Sequence, residues 1–379
     1  MSSPPALLRE CINRDNIAAL AERIQQNYPD FDVPGFNQLA SQGLDEHSLG
    51  DRIQQIRRAL KQFLPQDFER AVEILIASLG PVLDSDSLGD IDLSSPTGFI
   101  VTAQTAYVAR YGLDHFDTAM HAFYEMTQRF SAEGSIRYFL KAHEAKTLAV
   151  LERWVDNPSP HVRRLVSEGT RPRLPLMMRL HQYVDDPRPV LTLLEHLKDD
   201  PILYVRRSVA NNLNDIAKDN PDLVIETLQR WNKQPGPYTA WITQHALRTL
   251  VKQGNPAALA LLGYGQDQQM MVKRFSVDRS SLRLGERIEL SLELESQAAQ
   301  TTALMIDYRI HHVKANGQAR AKVFKWAKKQ LPAGECLQLD KHHPIRELTT
   351  RKYYSGVHKV DLQINGQIVA EAEFELVVE

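Results

Sequence analysis

Two segments of this chain are near copies of each other: DNPSPHVRRLV at 156–166 and DDPILYVRRSV at 199–209, an offset of 43 residues. Identical residues recur at that offset from Pro158, Val162, Arg163, Arg164 and Val166. A period of about 40–47 residues, in which two helices flank a proline turn, is typical of HEAT repeats. Because such units bury their apolar faces only against neighbours, the repeat predicts a curved helical stack with a concave surface.

Helical spacing of apolar residues extends from residue 50 to residue 262. Prolines interrupt it where turns are expected, at Pro65, Pro158, Pro187, Pro201, Pro221 and Pro256. The segment ITQHALRTLVKQGNPAALALLG (242–263) is a candidate for a degenerate third copy. We therefore assign residues 1–268 to a HEAT-like helical domain.

After residue 268 the pattern changes to short alternating strands. Ile288, Leu290, Leu292 and Leu294 alternate with polar residues, which places them on one face of a strand. Asn316-Gly317 and Asn365-Gly366 are typical of tight hairpin turns. Residues 269–379 are thus predicted to form an immunoglobulin-like β-sandwich, so the fold class is an all-α solenoid followed by an all-β domain.

Composition sets limits on function. The net charge is −2, which excludes a chain that is basic throughout, so any nucleic-acid surface must be local. The two cysteines, Cys11 and Cys336, are far apart and provide neither a disulfide framework nor a zinc motif. We expect no signal peptide, no membrane span, no metal and no cofactor, and a location in the cytosol.

Residues 163–173 and 206–207 contain six arginines and one acid. Arg163, Arg164, Arg171, Arg173, Arg206 and Arg207 accompany only Glu168. Helical spacing pairs Arg164 with Glu168 and, upstream, Glu133 with Arg137, while the next repeat has Arg207, Asn211 and Asp215 on the equivalent face. We expect Glu133, Glu168 and Asp215 to line one concave surface.

Three interpretations fit this pattern. Exposed acid–arginine pairs at helical spacing are usually ordinary surface salt bridges of small stabilising effect. A surplus of guanidinium suits phosphate oxygens, which Arg binds in bidentate fashion, and predicts DNA contacts for Arg137 and the six arginines, with further backbone contacts from Asn211 and Asn212. The same face could instead dock an acidic protein partner.

The segments RRLVSEGTRPRLP (163–175) and VRRSVANNLNDIAKD (205–219) are similar to the AlkC-type DNA alkylation-repair glycosylases, a family of HEAT-like repeat proteins. The segment RKYYSGVHKVDLQING (351–366) resembles the C-terminal immunoglobulin-like domain of that family. The resemblance implies base excision repair: hydrolysis of the N-glycosidic bond of cationic alkylated bases such as 3-methyladenine, in duplex DNA, without a cofactor, a metal or a deep base pocket. It also implies that the chain acts as a monomer in the bacterial cytosol, at the nucleoid when bound to DNA.

By match to the motifs of that family, the catalytic candidates are Glu133, Glu168 and Asp215. Carboxylates can stabilise the positive charge that develops on deoxyribose and can position a water molecule. Asp215 and Glu168 are the first candidates for these two roles.

One residue departs from the family pattern. A tryptophan that packs on the damaged nucleotide usually follows the RPRLP run, and this chain has Leu176 there. Leucine lacks the aromatic face that attracts a cation. Trp154 and Trp241 are the candidates to substitute in space, but packing in the interior is the more common role of a tryptophan. The departure predicts weaker catalysis, a shifted substrate range, or a relative that binds damaged, bent or branched DNA without activity.

Overall fold

The structure is a computed structural model that describes residues 8–83, 98–265, 269–347 and 352–378. It divides into two compact units, Met1–Ala246 and Leu247–Glu379. After a short 3-10 helix at Leu8–Cys11, the first unit contains the following α-helices: α1 Arg14–Asn27, α2 Val33–Ala40, α3 Leu49–Phe63, α4 Phe68–Ala77, α5 Val101–Tyr111, α6 Phe116–Thr127, α7 Ile136–Ala142, α8 Glu144–Trp154, α9 Pro160–Gly169, α10 His181–Asp185, α11 Arg188–Leu197, α12 Leu203–Ile216, α13 Pro221–Lys233 and α14 Thr239–Ala246.

The predicted repeat corresponds to α9 and α12, whose first residues are 43 positions apart and which pack against each other. Val162, Leu165 and Val166 of α9 are fully buried, as are Val205 and Val209 of α12. Further along the stack α12 packs against α14. The apolar stripe read from the sequence is therefore the surface on which successive repeats stack.

Gly169 ends α9 at a close approach to α7. A Cβ atom added at Gly169 would lie 2.7 Å from Cγ2 of Ile136, which is closer than real Cβ contacts allow. Because only glycine fits there, the end of α9 can lie against the start of α7. This brings the two loops that carry Glu133 and Arg171 near each other.

The second unit begins 22 residues before the predicted boundary at 268. It starts with the short helices α15 Arg248–Lys252 and α16 Pro256–Leu261. A Cβ atom added at Gly366 would lie 2.7 Å from the carbonyl oxygen of Gly254, so the α15–α16 turn lies against a hairpin of the sandwich. The candidate third repeat at 242–263 is thus split among α14, α15 and α16 and between the two units, so it is not a copy of the α9 or α12 repeat.

Two sheets form the sandwich of the second unit. Their strands are β1 Met270–Val277, β2 Ser281–Arg283, β3 Arg287–Ser296, β4 Thr302–Val313, β5 Ala319–Leu331, β6 Cys336–Pro344, β7 Gly356–Ile364 and β8 Gln367–Val377. One sheet has the order β1-β3-β6 and the other β2-β8-β7-β4-β5. Ile288 and Leu290 of the first sheet share a buried core with Tyr308 and Phe374 of the second.

Both predicted hairpins are present. Asn365 and Gly366 have φ angles of 45° and 85° and join β7 to β8, where Ile364 pairs with Gln367. Positive φ at both central residues defines the type I′ turn for which Asn-Gly is favoured. Gly317, with a φ of 75°, lies between β4 and β5.

Candidate active site

The buried side chain of Arg137 holds the loop between α9 and α10 in place. This side chain, in α7, has 0% exposure. Its Nη1 donates to the carbonyl oxygens of Gly169 (2.9 Å) and Arg171 (2.6 Å), and its Nε and Nη2 donate to that of Met178 at 3.0 and 2.6 Å. Burial, helped by repulsion from Arg171, lowers the pKa of Arg137 to about 10, so the guanidinium stays charged at neutral pH. The two ends of the loop are tied to one helix.

The predicted acids are joined by shared arginines. Nη1 of Arg164 lies 2.7 Å from Oε2 of Glu133, and its Nη2 lies 3.6 Å from Oε1 of Glu168. Arg171 donates from Nη1 to Oε1 of Glu168 (2.6 Å) and from Nε to Oδ2 of Asp215 (2.8 Å). These five residues form a continuous row of alternating charge, which we call the ion-pair chain.

Glu168 is the central acid of the ion-pair chain and is 5% exposed. Its second oxygen, Oε2, accepts a hydrogen bond of 2.6 Å from Ser208 in α12. Burial raises the pKa of Glu168, but Arg164, Arg171 and the Ser208 hydroxyl together outweigh burial and lower it. Glu168 is therefore an ionised carboxylate in a nearly dry place, where charge interactions are strong.

The outer acids have partners of their own. Ser131 donates a 2.7 Å hydrogen bond to Oε2 of Glu133. Nζ of Lys218 lies 2.7 Å from Oδ1 of Asp215, which is 2% exposed. Asp215 thus lies between Lys218 on one side and Arg171 on the other.

An open cleft of about 1000 Å³ runs past the ion-pair chain. Glu133 and Glu168 line it, together with Arg164, Arg171 and the loop residues 174–178. Among the described residues, Asp215 does not contribute to the wall and lies behind Arg171. Two of the three predicted catalytic acids therefore face the cleft directly.

Comparisons with known proteins show which proteins this chain resembles. A family model described as "Uncharacterised protein YhaZ, C-terminal Ig-like domain" matches residues 271–378. The chain is 34% identical over 376 residues to the protein YhaZ of Bacillus subtilis, covering 97% of this chain and 99% of YhaZ. It is also similar to the alkylpurine DNA glycosylase AlkC of Pseudomonas fluorescens, whose structure is bound to DNA containing an abasic site analogue: the TM-score is 0.88 and the identity 40%, over 98% of this chain and 100% of that one.

This chain belongs to the AlkC family. The family resemblance seen in the sequence is confirmed, and so is the fold class, a helical unit followed by an immunoglobulin-like sandwich. The AlkC-family fold thus brings Glu133, Glu168 and Asp215 into one network, although they lie 35 and 47 residues apart in the chain.

The expected pair between Glu133 and Arg137 does not form in this AlkC-family chain. Glu133 lies in the turn before α7, which begins only at Ile136, so helical spacing does not apply to it. Glu133 pairs with Arg164 instead. Arg137 binds backbone carbonyls and has no exposed surface for a phosphate, so the structure does not support its predicted contact with DNA.

Fewer of the predicted arginines lack an acidic partner in the structure than the sequence suggests. Arg163 makes a bidentate pair with Asp200, at 2.5 and 3.1 Å, and Arg206 donates to the carbonyl oxygen of Asp200 at 2.6 Å. Arg173 makes a bidentate pair with Asp219. Acids from other segments therefore neutralise arginines that have no acid beside them in the sequence.

Arg163 and Arg206 act within the protein. Arg163 also donates to two carbonyl oxygens of the loop before α9, and the guanidinium of Arg206 lies 3.6 Å from the ring centroid of Tyr238. Both side chains connect neighbouring repeats and have little surface left. The structure therefore does not support the predicted phosphate contacts of Arg163 and Arg206, which have structural roles in this conformation.

Some exposed arginines are available to an anion. Arg207 and Arg179 are exposed, and neither has an ion pair among the described residues. Arg179 did not stand out in the sequence, because its repeat partner is not an arginine. It lines a second cleft of about 360 Å³ with Arg173 and Lys218, beside loop residues 174–177.

The two asparagines differ. Asn212 has 0% exposure and donates to the carbonyl oxygen of Ser167 (2.7 Å) and to Oγ1 of Thr170 (3.1 Å). Its predicted contact with the DNA backbone is not possible from this buried position. Asn211 is partly exposed, and its DNA contact stays a prediction.

Leu176 lies at the tip of the loop and lines both clefts. It is 85% exposed and has a φ of 63°, a left-handed conformation that is unfavourable for leucine. Neither tryptophan replaces an aromatic residue there: Trp154 packs on Tyr124 and Trp241 stacks on His245, and both are absent from the described wall of the cleft. Packing against other residues is therefore the role of both tryptophans, and among the described residues of the cleft wall the exposed ring is Tyr138.

Two negative findings concern the described ranges only. Residues 8–83, 98–265, 269–347 and 352–378 contain no group of three or more His, Cys, Asp or Glu side chains that could hold a metal ion. In the same ranges no helix is both long enough and apolar enough to span a membrane.

Proposed function

We propose that this chain is a DNA glycosylase that hydrolyses the N-glycosidic bond of cationic alkylated bases of the 3-methyladenine type. Its likeness to AlkC over the full length of both chains supports the general class of DNA glycosylase. The observation that carries the proposal is the ion-pair chain, which puts two carboxylates on the wall of an open cleft.

The proposed reaction needs little help for the leaving group. A 3-methylated adenine in DNA is positively charged, so it leaves as a neutral base when the bond to C1′ breaks. Positive charge then develops on the deoxyribose, and a carboxylate held close to it stabilises the transition state. A water molecule adds to C1′ and gives its proton to a carboxylate, which completes the hydrolysis.

Glu168 is the proposed stabiliser of the sugar charge, because it is ionised, faces the cleft and lies in a poorly hydrated place. Glu133 lies on the same wall and is the more exposed of the two, which suits the positioning of water. Asp215 acts with them once Arg171 turns away from it. A DNA phosphate is the competing anion that would draw that guanidinium out.

The proposed partner is duplex DNA that carries alkylated bases, bound by a monomer in the bacterial cytosol, as a step of base excision repair. The second cleft, with Arg173, Arg179 and Lys218, is the proposed subsite for a phosphate beside the lesion. An open cleft suits a lesion that is not drawn into a deep pocket. No metal or cofactor takes part in this proposal.

Release of 3-methyladenine from methylated duplex DNA, measured in single turnover with the full chain, tests the proposal. Glu168→Gln should slow release at least about tenfold with little change in DNA affinity, since it removes charge only. Glu195→Gln is the matched control, because Glu195 is an ion-paired acid of the same unit outside the cleft wall. Absence of release by the unmodified chain would contradict the proposal.

A further inference from the structure

We propose that Tyr138 provides the aromatic face that recognises the positive charge at the lesion, which lies on the base before the bond to C1′ breaks and on the sugar as it breaks. This inference rests on the proposed function and names a residue for its specificity. Tyr138 lies in α7 and lines the same cleft as Glu133 and Glu168. Its side chain is 46% exposed, whereas the next residue, Arg137, is fully buried.

The charges of the cleft explain why an uncharged group is needed. The three carboxylates Glu133, Glu168 and Asp215 are matched by three cations, namely Arg164, Arg171 and Lys218. The network is therefore neutral, and each acid already has a cation within ion-pair distance. Because each acid is shared with a cation, the carboxylates balance only part of the substrate's positive charge, and the face of an aromatic ring attracts a cation without itself carrying charge.

The other aromatic rings of the cleft are already engaged. The guanidinium of Arg164 lies 4.7 Å from the ring centroid of Tyr204 and covers that face. The rings of Phe99 and Phe130 pack on each other with centroids 4.9 Å apart, and both residues are only partly exposed. Within the described part of the chain, the ring of Tyr138 has no aromatic and no cationic partner.

The position of Tyr138 is also well defined. The neighbouring side chain of Arg137 ties α7 to the loop through backbone carbonyls. A Cβ atom added at Gly134 would lie 2.6 Å from Sδ of Met177, so the loop lies against the turn that leads into α7. The ring is thus presented from a fixed helix beside exposed apolar residues of the loop, Leu176 and Met177.

Two abasic-site analogues that differ in charge provide the test. Duplex DNA with a pyrrolidine nucleotide, protonated at neutral pH, mimics the charged sugar, and duplex DNA with tetrahydrofuran at the same position is the neutral counterpart. The full chain should bind the pyrrolidine duplex more tightly. Tyr138→Phe should keep the affinity ratio within about twofold, and Tyr138→Leu should reduce it about fivefold, since leucine keeps apolar contact but has no ring.

Leu176→Ala is the matched control, because it removes an exposed apolar side chain of the same cleft that has no aromatic face. It should weaken both duplexes equally and leave the ratio unchanged. Unfolding temperatures of all variants should be close to that of the unmodified chain, since the substituted side chains are exposed.

The outcomes separate this inference from the proposed function. An unchanged ratio in Tyr138→Leu, or an equal loss of ratio in Leu176→Ala, overturns the role of Tyr138. If the unmodified chain releases 3-methyladenine but binds both duplexes equally, Tyr138 has no such role and the glycosylase proposal stands. If it neither releases the base nor prefers the charged analogue, both proposals fall.

Discussion

Replacing Arg171 by methionine tests whether the ion-pair chain is a single unit. Arg171 makes close contacts with two buried carboxylates, Nη1 with Glu168 at 2.6 Å and Nη2 with Asp215 at 2.7 Å, and is itself nearly buried. Methionine fills a similar volume but leaves both acids without this partner. Removing one member of a buried ion pair costs about 3–5 kcal/mol of unfolding free energy.

The contacts that both carboxylates keep in Arg171→Met place the expected loss of unfolding free energy at the lower end of that range. Asp215 keeps Lys218, and Glu168 keeps the Ser208 hydroxyl. The bond from Arg137 to residue 171 uses the backbone carbonyl, so it survives the substitution. We therefore expect the lower end, a loss of about 3 kcal/mol near neutral pH.

The loss of unfolding free energy in Arg171→Met should be smaller at acidic pH. In the unmodified chain the pKa of Glu168 is lowered, so its contribution to stability is present at neutral pH and disappears as the pH falls. In Arg171→Met burial remains while the charge and hydrogen bond of Arg171 are lost, so the pKa of Glu168 is higher than in the unmodified chain and protonation relieves part of the penalty on the folded state at a higher pH. The difference between the two chains should therefore be smaller near about pH 5 than near about pH 7.5.

Urea unfolding followed by far-ultraviolet circular dichroism measures the effect on the helices. The control is Arg173→Met, two residues away in the chain. Arg173 pairs with Asp219, which is partly exposed, so loss of this ion pair should lower the free energy of unfolding by under about 1 kcal/mol. A loss below about 1 kcal/mol in Arg171→Met, or the same loss at both pH values, would refute the reasoning.

Two further predictions concern the loop and the second cleft. Leu176→Gly should raise the free energy of unfolding by about 0.5 kcal/mol, because relief of about 1–2 kcal/mol of left-handed strain at the observed φ of 63° exceeds the entropy cost of glycine, about 0.5–1 kcal/mol, and the leucine buries little surface. An unchanged or lower unfolding temperature would contradict this. Arg179→Ala should reduce the slope of log affinity for duplex DNA against log salt by about 1, since one phosphate contact is lost. Arg188→Ala, which removes an exposed arginine paired with Asp186 and outside both clefts, should leave that slope unchanged, and equal slopes for the two variants would exclude Arg179 from phosphate binding.

The fold could be predicted from the sequence wherever a local pattern, such as helical periodicity or a turn dipeptide, determines the structure. The offset of 43 residues and the stripe Val162, Leu165 and Val166 located the stacked helices, because burial follows helical periodicity. Asn365-Gly366 located a hairpin, because only a few residues accept positive φ. The candidate repeat at 242–263 shares the helical periodicity but lies across the division between the two units, which depends on packing over longer distances.

The site could be predicted only in part, because ion pairs between elements have no sequence period. Arg164 did pair with Glu168 at helical spacing, but its closer partner is Glu133, from 31 residues upstream. Asp200 and Asp219 neutralise arginines that they do not adjoin in the chain. The sequence therefore predicts more unpaired arginine surface than the structure contains.

Tyr138 could not be predicted as a site residue for a related reason. In sequence it lies among Ile136, Phe139 and Leu140, all of which are buried, so an apolar helix face was the natural interpretation. Its exposure depends on where the loop after α9 lies. Only the folded arrangement reveals that this ring borders the acids.

The way Arg137 secures the loop has a consequence for how this site can change. All of its hydrogen bonds go to main-chain carbonyls, which every amino acid provides. The anchoring of the loop by Arg137 therefore does not depend on the side chains at its tip. The side chain at position 176 can therefore be replaced while Arg137 continues to hold both ends of the loop.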